Sequence, residues 1–492
     1  MKDLKHRTIR GGFAKICAQV ANFVLRIGSL MILARLLDPK DFGLVGMVTA
    51  VIGVLSLFRD FGLSAATIQR SAITEDQLST LFWINLLVGT ILGLASLAIS
   101  PLVASFYREP RLFGVTALLA TGFFFNAAGV QHSAILQRQM RFTALSVIDV
   151  ISQLIGAAIG IAMALRGFGY WALVAASILG PLLSTVGLWL ATGWVPEMPR
   201  RNIGIRSLMG FGGTVTVTGL LVYMATNADK VLLGRFWGAN AIGIYGRAYQ
   251  LINLPTDNLN ATAGSVAFAA LSRLQNDPPR LKSYFLKGYS LVAALTVPIT
   301  LFCAFFAQDT ILVLLGQKWK EAIAIFRLLA PTILVFAIVN PMSWLLCSLG
   351  MVVRLLKMSL VITPLMIAGY FIGLPYGPQG VAAVYSALMV LWMVPAIAWC
   401  VHGTVISIRD ILQAVKWPLA AGLVAVGLAF GVRTLYGQTL HALPRLILET
   451  AIVGLVYLGL LLFATGQKSF YMDLLRGLKA PAPVEKNGLV SA

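Results

Sequence analysis

Long apolar runs alternate with short polar connections along the whole chain. About fourteen of these runs are long enough to cross a bilayer, because a transmembrane helix needs ~20 mostly apolar residues. No connection between them is long enough to form a folded domain of its own. The pattern predicts an all-α polytopic membrane protein. The predicted spans lie approximately at residues 12–33, 42–62, 80–104, 112–136, 143–165, 169–191, 208–234, 241–270, 284–307, 322–348, 351–373, 379–401, 411–435 and 444–465.

The first apolar run carries a polar stripe. Lys15, Gln19, Asn22 and Arg26 recur at steps of three or four residues and fall within an arc of roughly 60° on a helical wheel. Arg26 would lie ~16 Å from Lys15 along the helix axis, too deep for both to reach one interface. A guanidinium at that depth costs a few kcal/mol or more unless it faces protein or water. We expect this helix to line a cationic cavity. Snorkelling of Lys15 to the headgroups and a structural ion pair of Arg26 are the alternatives.

A second polar stripe lies in the run 241–270, and its arc on the helical wheel is wider, roughly 140°. Pro255 interrupts this run and is predicted to kink the helix, which frees backbone groups for a polar cavity. We expect this stripe to face the first one across the cavity, with the acid Asp257 as a candidate for ion coupling. The stripe consists of Arg247, Gln250, Asn253, Asp257 and Asn260.

A further acid, Asp149, shares one helical face with Ser146 and Gln153. It is interpreted either as the structural partner of a cavity arginine or as a residue that carries a coupling proton. Arg59 and Asp60 are adjacent at the end of a span and are interpreted as a structural pair.

An internal repeat relates the two halves of the chain. A shift of 200 residues superposes Arg35 on Arg235, Gly43 on Gly243 and Gly46 on Gly246. Each copy holds an even number of spans, so both copies have the same orientation in the membrane. This predicts two six-helix lobes in a parallel repeat, with a cavity between them, followed by two C-terminal helices. The predicted divisions are an N-lobe at 1–194 (spans 1–6), an interfacial linker at 195–206, a C-lobe at 207–402 (spans 7–12), spans 13 and 14 at 403–466, and a cytoplasmic tail at 467–492.

Composition and charge support the membrane class. The chain is 58% hydrophobic and only 11% charged, whereas about a quarter of the residues of a soluble domain are charged. The net charge of +20 is spread in short clusters between apolar runs, which is not the footprint of a nucleic-acid binder. One side of the predicted membrane topology holds more than twice as many Lys and Arg residues as the other. That side is predicted to be the cytoplasm, with both termini on it.

Motifs of enzymes are missing from the sequence. It has no GxxxxGK[ST] loop, no HExxH, no GxSxG and no Cys/His spacing typical of a metal site. The sequence therefore predicts neither a cofactor nor a metal, and it predicts a protein that is not an enzyme.

Two segments resemble a known family. The first is LARLLDPKDFG at 33–43, and the second is NADKVLLGRF at 227–236, which runs into IGIY at 242–245. These segments are similar to those of the Wzx-type oligosaccharide flippases, the polysaccharide transporters of the multidrug/oligosaccharidyl-lipid/polysaccharide exporter superfamily. The resemblance covers essentially the whole chain.

The resemblance implies a flippase of the bacterial inner membrane that works by alternating access. Its substrate would be an undecaprenyl-diphosphate-linked oligosaccharide for exopolysaccharide, capsule or O-antigen synthesis. Its partners would be membrane lipids and the polymerase and chain-length regulator of the same pathway, with no nucleic acid. Independently, arginine suits a diphosphate, and Asn and Gln suit sugar hydroxyls. The substrate-binding candidates are Arg26, Asn22, Gln19, Lys15, Arg247, Gln250 and Asn253.

Two other functions stay open at this point. A drug or organic-cation exporter of the same fold predicts an acidic cavity, and the basic stripe argues against it. A membrane polymerase or ligase of the same pathway predicts catalytic acids or bases in a large loop, and the short connections oppose it.

Overall fold

The computed structural model describes the backbone of residues 2–59, 67, 73–199, 212–436 and 440–464. All regular structure in these residues is helical, as the sequence predicts. The helices are α1 (Lys2–Leu36), α2 (Pro39–Ser56), α3 (Glu75–Tyr107), α4 (Leu112–Arg138), α5 (Phe142–Leu165), α6 (Tyr170–Thr192), α7 (Gly212–Arg273), α8 (Pro278–Phe305), α9 (Ala307–Leu314), α10 (Ala322–Leu329), α11 (Pro331–Ser348), α12 (Val352–Gly373), α13 (Gly377–Val401), α14 (Ile408–Tyr436) and α15 (Ala442–Gly459).

Local signals set several helix boundaries. Thr74 caps α3: its hydroxyl accepts from the Gln77 backbone N–H at 3.3 Å, and the Gln77 side chain accepts from the Thr74 N–H at 3.2 Å. Pro39 begins α2, where its missing N–H costs nothing. The long helix α7 is broken at Gly238, whose φ of 79° is open to glycine at little cost. The break falls between the predicted spans 208–234 and 241–270.

The surface of the protein is apolar, and its mainly hydrophobic interior also holds polar side chains. Large apolar side chains such as Leu190, Leu435 and Leu455 point outward. Polar side chains such as Asn85 and Gln131 are fully buried. Such a surface is stable in hydrocarbon, and the helices satisfy their own backbone groups there. Eleven candidate spans in the described residues are long and apolar enough to cross a membrane. The protein is therefore a multi-span helical membrane protein, while the total number of spans and the lobes stay predictions.

The chain forms two compact units that interleave along the sequence. The first consists of Met1–Leu254, Thr310–Leu329 and Gly350–Ala396. The second consists of Pro255–Asp309, Ala330–Leu349 and Ile397–Ala492. Pro255 thus lies within α7 where one unit gives way to the other.

Within the first unit, the two copies of the repeat touch through a reciprocal pair of glycines. A methyl group built on Gly43 of α2 would lie 1.7 Å from the carbonyl oxygen of Ala239. A methyl group built on Gly243 of α7 would lie 1.8 Å from the carbonyl oxygen of Pro39. The partners, like the glycines, are 200 residues apart in sequence. The contact therefore has local two-fold pseudosymmetry, and it brings two backbones together as only residues without a Cβ allow.

The segment 310–329 packs on the loop between α1 and α2 in the same unit. The indole N–H of Trp319 donates to the Ala34 carbonyl at 2.8 Å, and its ring packs edge-on against Phe42. Arg35 donates to the Val313 carbonyl at 2.8 Å. These contacts fix the first family-like segment, 33–43, against the second copy of the repeat.

The second unit holds a buried cluster of four charges. Asp309 is completely buried, and its carboxylate pairs with Arg433 at 3.1 Å and with Arg445. Arg433 also lies 3.5 Å from Glu449, and its guanidinium is 5.8 Å from the centre of the Phe306 ring. Two cations and two anions balance, so the cluster is neutral and joins α8 and α9 to α14 and α15.

We expect Gly243→Ala to destabilise the protein by about 1–3 kcal/mol, because its methyl group meets a backbone oxygen that cannot turn aside. The matched control is Gly246→Ala in the same helix, where a Cβ meets nothing within 4 Å. Alanine favours the helix over glycine by about 1 kcal/mol, so this control should be neutral or stabilising. Thermal unfolding of the purified variants in detergent measures both changes. Equal midpoints for the two variants would contradict the close backbone contact.

We expect Asp309→Ala to cost about 3–5 kcal/mol of stability, since it leaves two buried arginines with one carboxylate between them. The control is Arg280→Ala, which removes an ion pair with Asp277 whose side chains are 80% and 43% exposed. Exposed pairs of this kind contribute at most about 1 kcal/mol. The same unfolding measurement compares them, and a control that is as damaging as Asp309→Ala would refute the interpretation.

Candidate functional site

The first unit contains a cavity of about 940 Å³. Its walls come from α1, α4, α5 and α6, with Arg59 after α2 and Arg247 from α7. The polar lining residues are Asn22, Ser29, Arg59, Asn126, Ser133, Gln137, Ser146, Asp149, Ser152, Gln153, Ser177, Ser184, Thr185 and Arg247. Gly156 and Gly180 also line the cavity, and a Cβ built on Gly156 would lie 3.3 Å from the backbone nitrogen of Gly180, so α5 and α6 approach each other closely there. A polar cavity of this size inside a membrane protein fits a hydrophilic ligand.

The α5 wall arises from helical periodicity. Ser146, Asp149, Ser152 and Gln153 recur at spacings of one or three residues, and all of them line the cavity. Gln153 donates to the backbone oxygen of Asn22 at 3.4 Å, which ties α5 to α1 beside the cavity. Ser146, Asp149 and Gln153 thus lie together, as the sequence predicts for one helical face.

Arg247 is the cavity cation with the most defined surroundings. Its guanidinium stacks on the buried ring of Phe42, with 4.7 Å from Cζ to the ring centre. It donates to the side-chain oxygen of Gln250, one turn later on the same predicted stripe. Its Nε is buried and has no hydrogen-bond partner. A donor that is left unsatisfied in this way costs free energy until a ligand or water accepts from it.

Contacts across the Gly238 break position Arg247. The hydroxyl of Tyr245 donates to the buried carboxylate of Asp229 at 2.7 Å. The ammonium of Lys230 lies 4.6 Å from the centre of the Tyr249 ring. The segment 227–236 before the break is therefore held against the turn that carries Arg247. The second family-like stretch consists of this segment and of residues 242–245, which lead into that turn.

Arg26 and Arg59 are two further cations of the first unit, and Arg26 is not among the residues that line the cavity. Arg26 is exposed and lies near enough to Arg247 for the two charges to repel each other. Arg59 lines the cavity. Among the described residues, neither Arg26 nor Arg59 is paired with a carboxylate. Asp60, the partner expected for Arg59, lies outside the described residues. Charges held close together without counterions favour an anionic ligand.

The other predicted site residues are distributed differently. Asn22 lines the cavity, and its side-chain oxygen is buried without a hydrogen-bond partner. Gln19 is exposed, and Gln250 and Asn253 are half-buried; none of the three is among the lining residues. Asp257 is exposed and belongs to the second unit. The side chain of Lys15 lies outside the described residues.

Sequence reasoning missed much of the hydroxyl-rich wall. Asn126, Ser133 and Gln137 on α4 and Ser177 and Ser184 on α6 line the same cavity. The signal was the helical spacing of polar residues within each apolar run, which places each set on one face. Within the described residues, no group of His, Cys, Asp and Glu side chains is arranged to hold a metal ion.

Comparison with known proteins agrees with this architecture. Residues 32–324, more than half of the chain, match the family model described as "Polysaccharide biosynthesis protein". The lipopolysaccharide biosynthesis protein WzxC of Escherichia coli is 27% identical over 377 residues, which cover 75% of this chain and 76% of WzxC. The teichuronic acid biosynthesis protein TuaB of Bacillus subtilis is 29% identical over 304 residues, which cover 59% of this chain and 61% of TuaB.

A solved structure gives the fold. The lipid II flippase MurJ in its inward closed conformation superposes with a TM-score of 0.69 at 14% identity, over 96% of this chain and 100% of MurJ. The two proteins therefore share a helical, polytopic fold. The family match over more than half of the chain shows that it belongs to the polysaccharide biosynthesis protein family.

Proposed function

We propose that this protein is a flippase for an undecaprenyl-diphosphate-linked oligosaccharide. It would move the repeat unit from the cytoplasmic to the outer leaflet of the bacterial inner membrane, for exopolysaccharide, capsule or O-antigen synthesis. Related proteins named for lipopolysaccharide and teichuronic acid biosynthesis support the substrate class. The topology that goes with it has both termini in the cytoplasm, and the polymerase and chain-length regulator of the pathway are the expected partners.

The observation that carries the proposal is the buried Nε of Arg247, which has no hydrogen-bond partner beside the polar cavity. A diphosphate accepts several hydrogen bonds and carries the negative charge that would balance Arg247 and its neighbour Arg26. In the proposal Arg26 and Arg247 hold the diphosphate. Asn22, Gln19, Lys15, Gln250 and Asn253 contribute to the head-group region, and Asp257 remains a candidate for ion coupling. An exporter of organic cations would need the opposite polarity, whereas the described lining holds two arginines and one acid.

Alternating access is the mechanism that the internal repeat supports. The reciprocal contacts of Gly43 with Ala239 and of Gly243 with Pro39 lie where the two copies of the repeat meet. Helices that meet through backbone, without interlocking side chains, can part without rotamer rearrangement. In the proposal these contacts break and re-form as the two copies change their relative orientation during each cycle.

We expect Arg247→Ala to reduce transport about tenfold to a hundredfold, since a hydrogen bond to a charged group contributes about 1.5–3 kcal/mol. Arg247→Lys should recover part of the loss, because it restores the charge without the planar fork. The control is Arg166→Ala, which removes an exposed arginine from the loop after α5. The measurement is flipping of a lipid-diphosphate-linked saccharide in proteoliposomes at equal protein content. Full activity in Arg247→Ala would sink the proposal.

We expect Arg26→Ala to lower polymer export in cells at a normal protein level, because it removes a cation that neighbours Arg247. The loss should be smaller than for Arg247→Ala, since Arg26 is exposed and less confined. Surface polymer per cell, normalised to the amount of flippase in the membrane, is the readout. Export at the wild-type level would remove Arg26 from the mechanism while leaving Arg247 in place.

A further inference from the structure

The cavity wall around Asp149 has a chemistry of its own. Asp149 is exposed to the cavity from α5 and is the one acid among the described lining residues. Among the residues that the structure describes, no cation is paired with it. A carboxylate without a counterion accepts hydrogen bonds and repels other anions.

Two hydroxyls on α6, elsewhere in the lining of the same cavity, present acceptors as well. Ser177 donates its hydroxyl proton to the Leu173 carbonyl at 2.8 Å, and Thr185 donates to the Phe125 carbonyl at 2.7 Å. With their protons committed to the backbone, these hydroxyls have only lone pairs left for a ligand. The buried side-chain oxygen of Asn22 adds another acceptor that has no partner. The wall therefore favours a ligand that is rich in O–H and N–H donors.

The wall offers little for aromatic stacking. Phe142 is the one aromatic side chain among the described lining residues. Recognition must therefore come from hydrogen bonds and charge. Sugar hydroxyls and acetamido N–H groups donate hydrogen bonds that these oxygens can accept, whereas a sugar carboxylate would bring a second negative charge up to Asp149.

We propose that Asp149 determines specificity for the saccharide: it accepts hydrogen bonds from an uncharged sugar and excludes an acidic sugar from the α5 wall. This inference rests on the proposed function, since it assumes that a lipid-linked saccharide enters the cavity. It gives the two charge types separate tasks, with Arg26 and Arg247 for the anionic linkage and Asp149 for the sugar.

The test uses two probes that differ at one carbon. Both are polyprenyl-diphosphate disaccharides, one with a terminal hexose and the other with the corresponding hexuronic acid. The full-length protein in lipid nanodiscs should bind the hexose probe at least about tenfold more tightly, which corresponds to one interaction of ~1.4 kcal/mol. In Asp149→Asn and in Asp149→Ser, the preference should fall below about threefold, mainly because the hexuronate probe binds more tightly. Asp76→Asn, an exposed acid at the start of α3, should leave the preference unchanged.

The outcomes separate this inference from the function on which it rests. Binding of neither probe by the wild-type protein would overturn both the flippase proposal and the role of Asp149. Equal binding of both probes by the wild-type protein would overturn the role of Asp149 alone, without reference to any variant. A preference that persists in both variants, together with a lost response of transport to a pH gradient, would assign Asp149 to proton coupling instead.

Discussion

A guanidinium in a bilayer protein needs an acceptor for each donor and a counterion for its charge. The surroundings of Arg247 meet these needs only in part. Its guanidinium stacks on the Phe42 ring and donates to the Gln250 side-chain oxygen, but its Nε has no hydrogen-bond partner. The helices of the first unit are arranged around that incomplete environment. Three features keep Arg247 at the edge of a polar volume and out of the lipid: the hydroxyl-lined space, the break at Gly238, and the contacts of Asp229 and Lys230.

The two units show how charge balance separates a structural cluster from a binding site. In the second unit, Asp309 and Glu449 lie within ion-pair distance of Arg433 and Arg445, and two formal negative charges face two positive ones. In the first unit, none of Arg26, Arg59 and Arg247 forms an ion pair with an acid among the described residues. The ion pairs of the second unit hold helices together at a cost in desolvation free energy. The arginines of the first unit are stabilised most when an anion binds.

The sequence predicted the helical membrane fold, since apolar runs of bilayer length allow few other structures. It also predicted the face of α5 that carries Ser146, Asp149 and Gln153, because helical periodicity alone determines a face. What periodicity cannot supply is the neighbour that each face meets. Gln19 and Asn22 are on one predicted stripe, yet only Asn22 lines the cavity. Asp309 and Arg445 are far apart in the sequence, so their pairing depends on tertiary packing that no local pattern encodes.

The glycine contact between the repeats has a consequence for how such a chain can evolve. After a duplication the two halves normally drift independently, and each accumulates its own substitutions. Here a side chain gained at 43 or at 243 would collide with the main chain of the other half, at 239 or at 39. Divergence at these positions is therefore restrained in both halves at once, whereas the outward-facing apolar surfaces carry no such steric restraint.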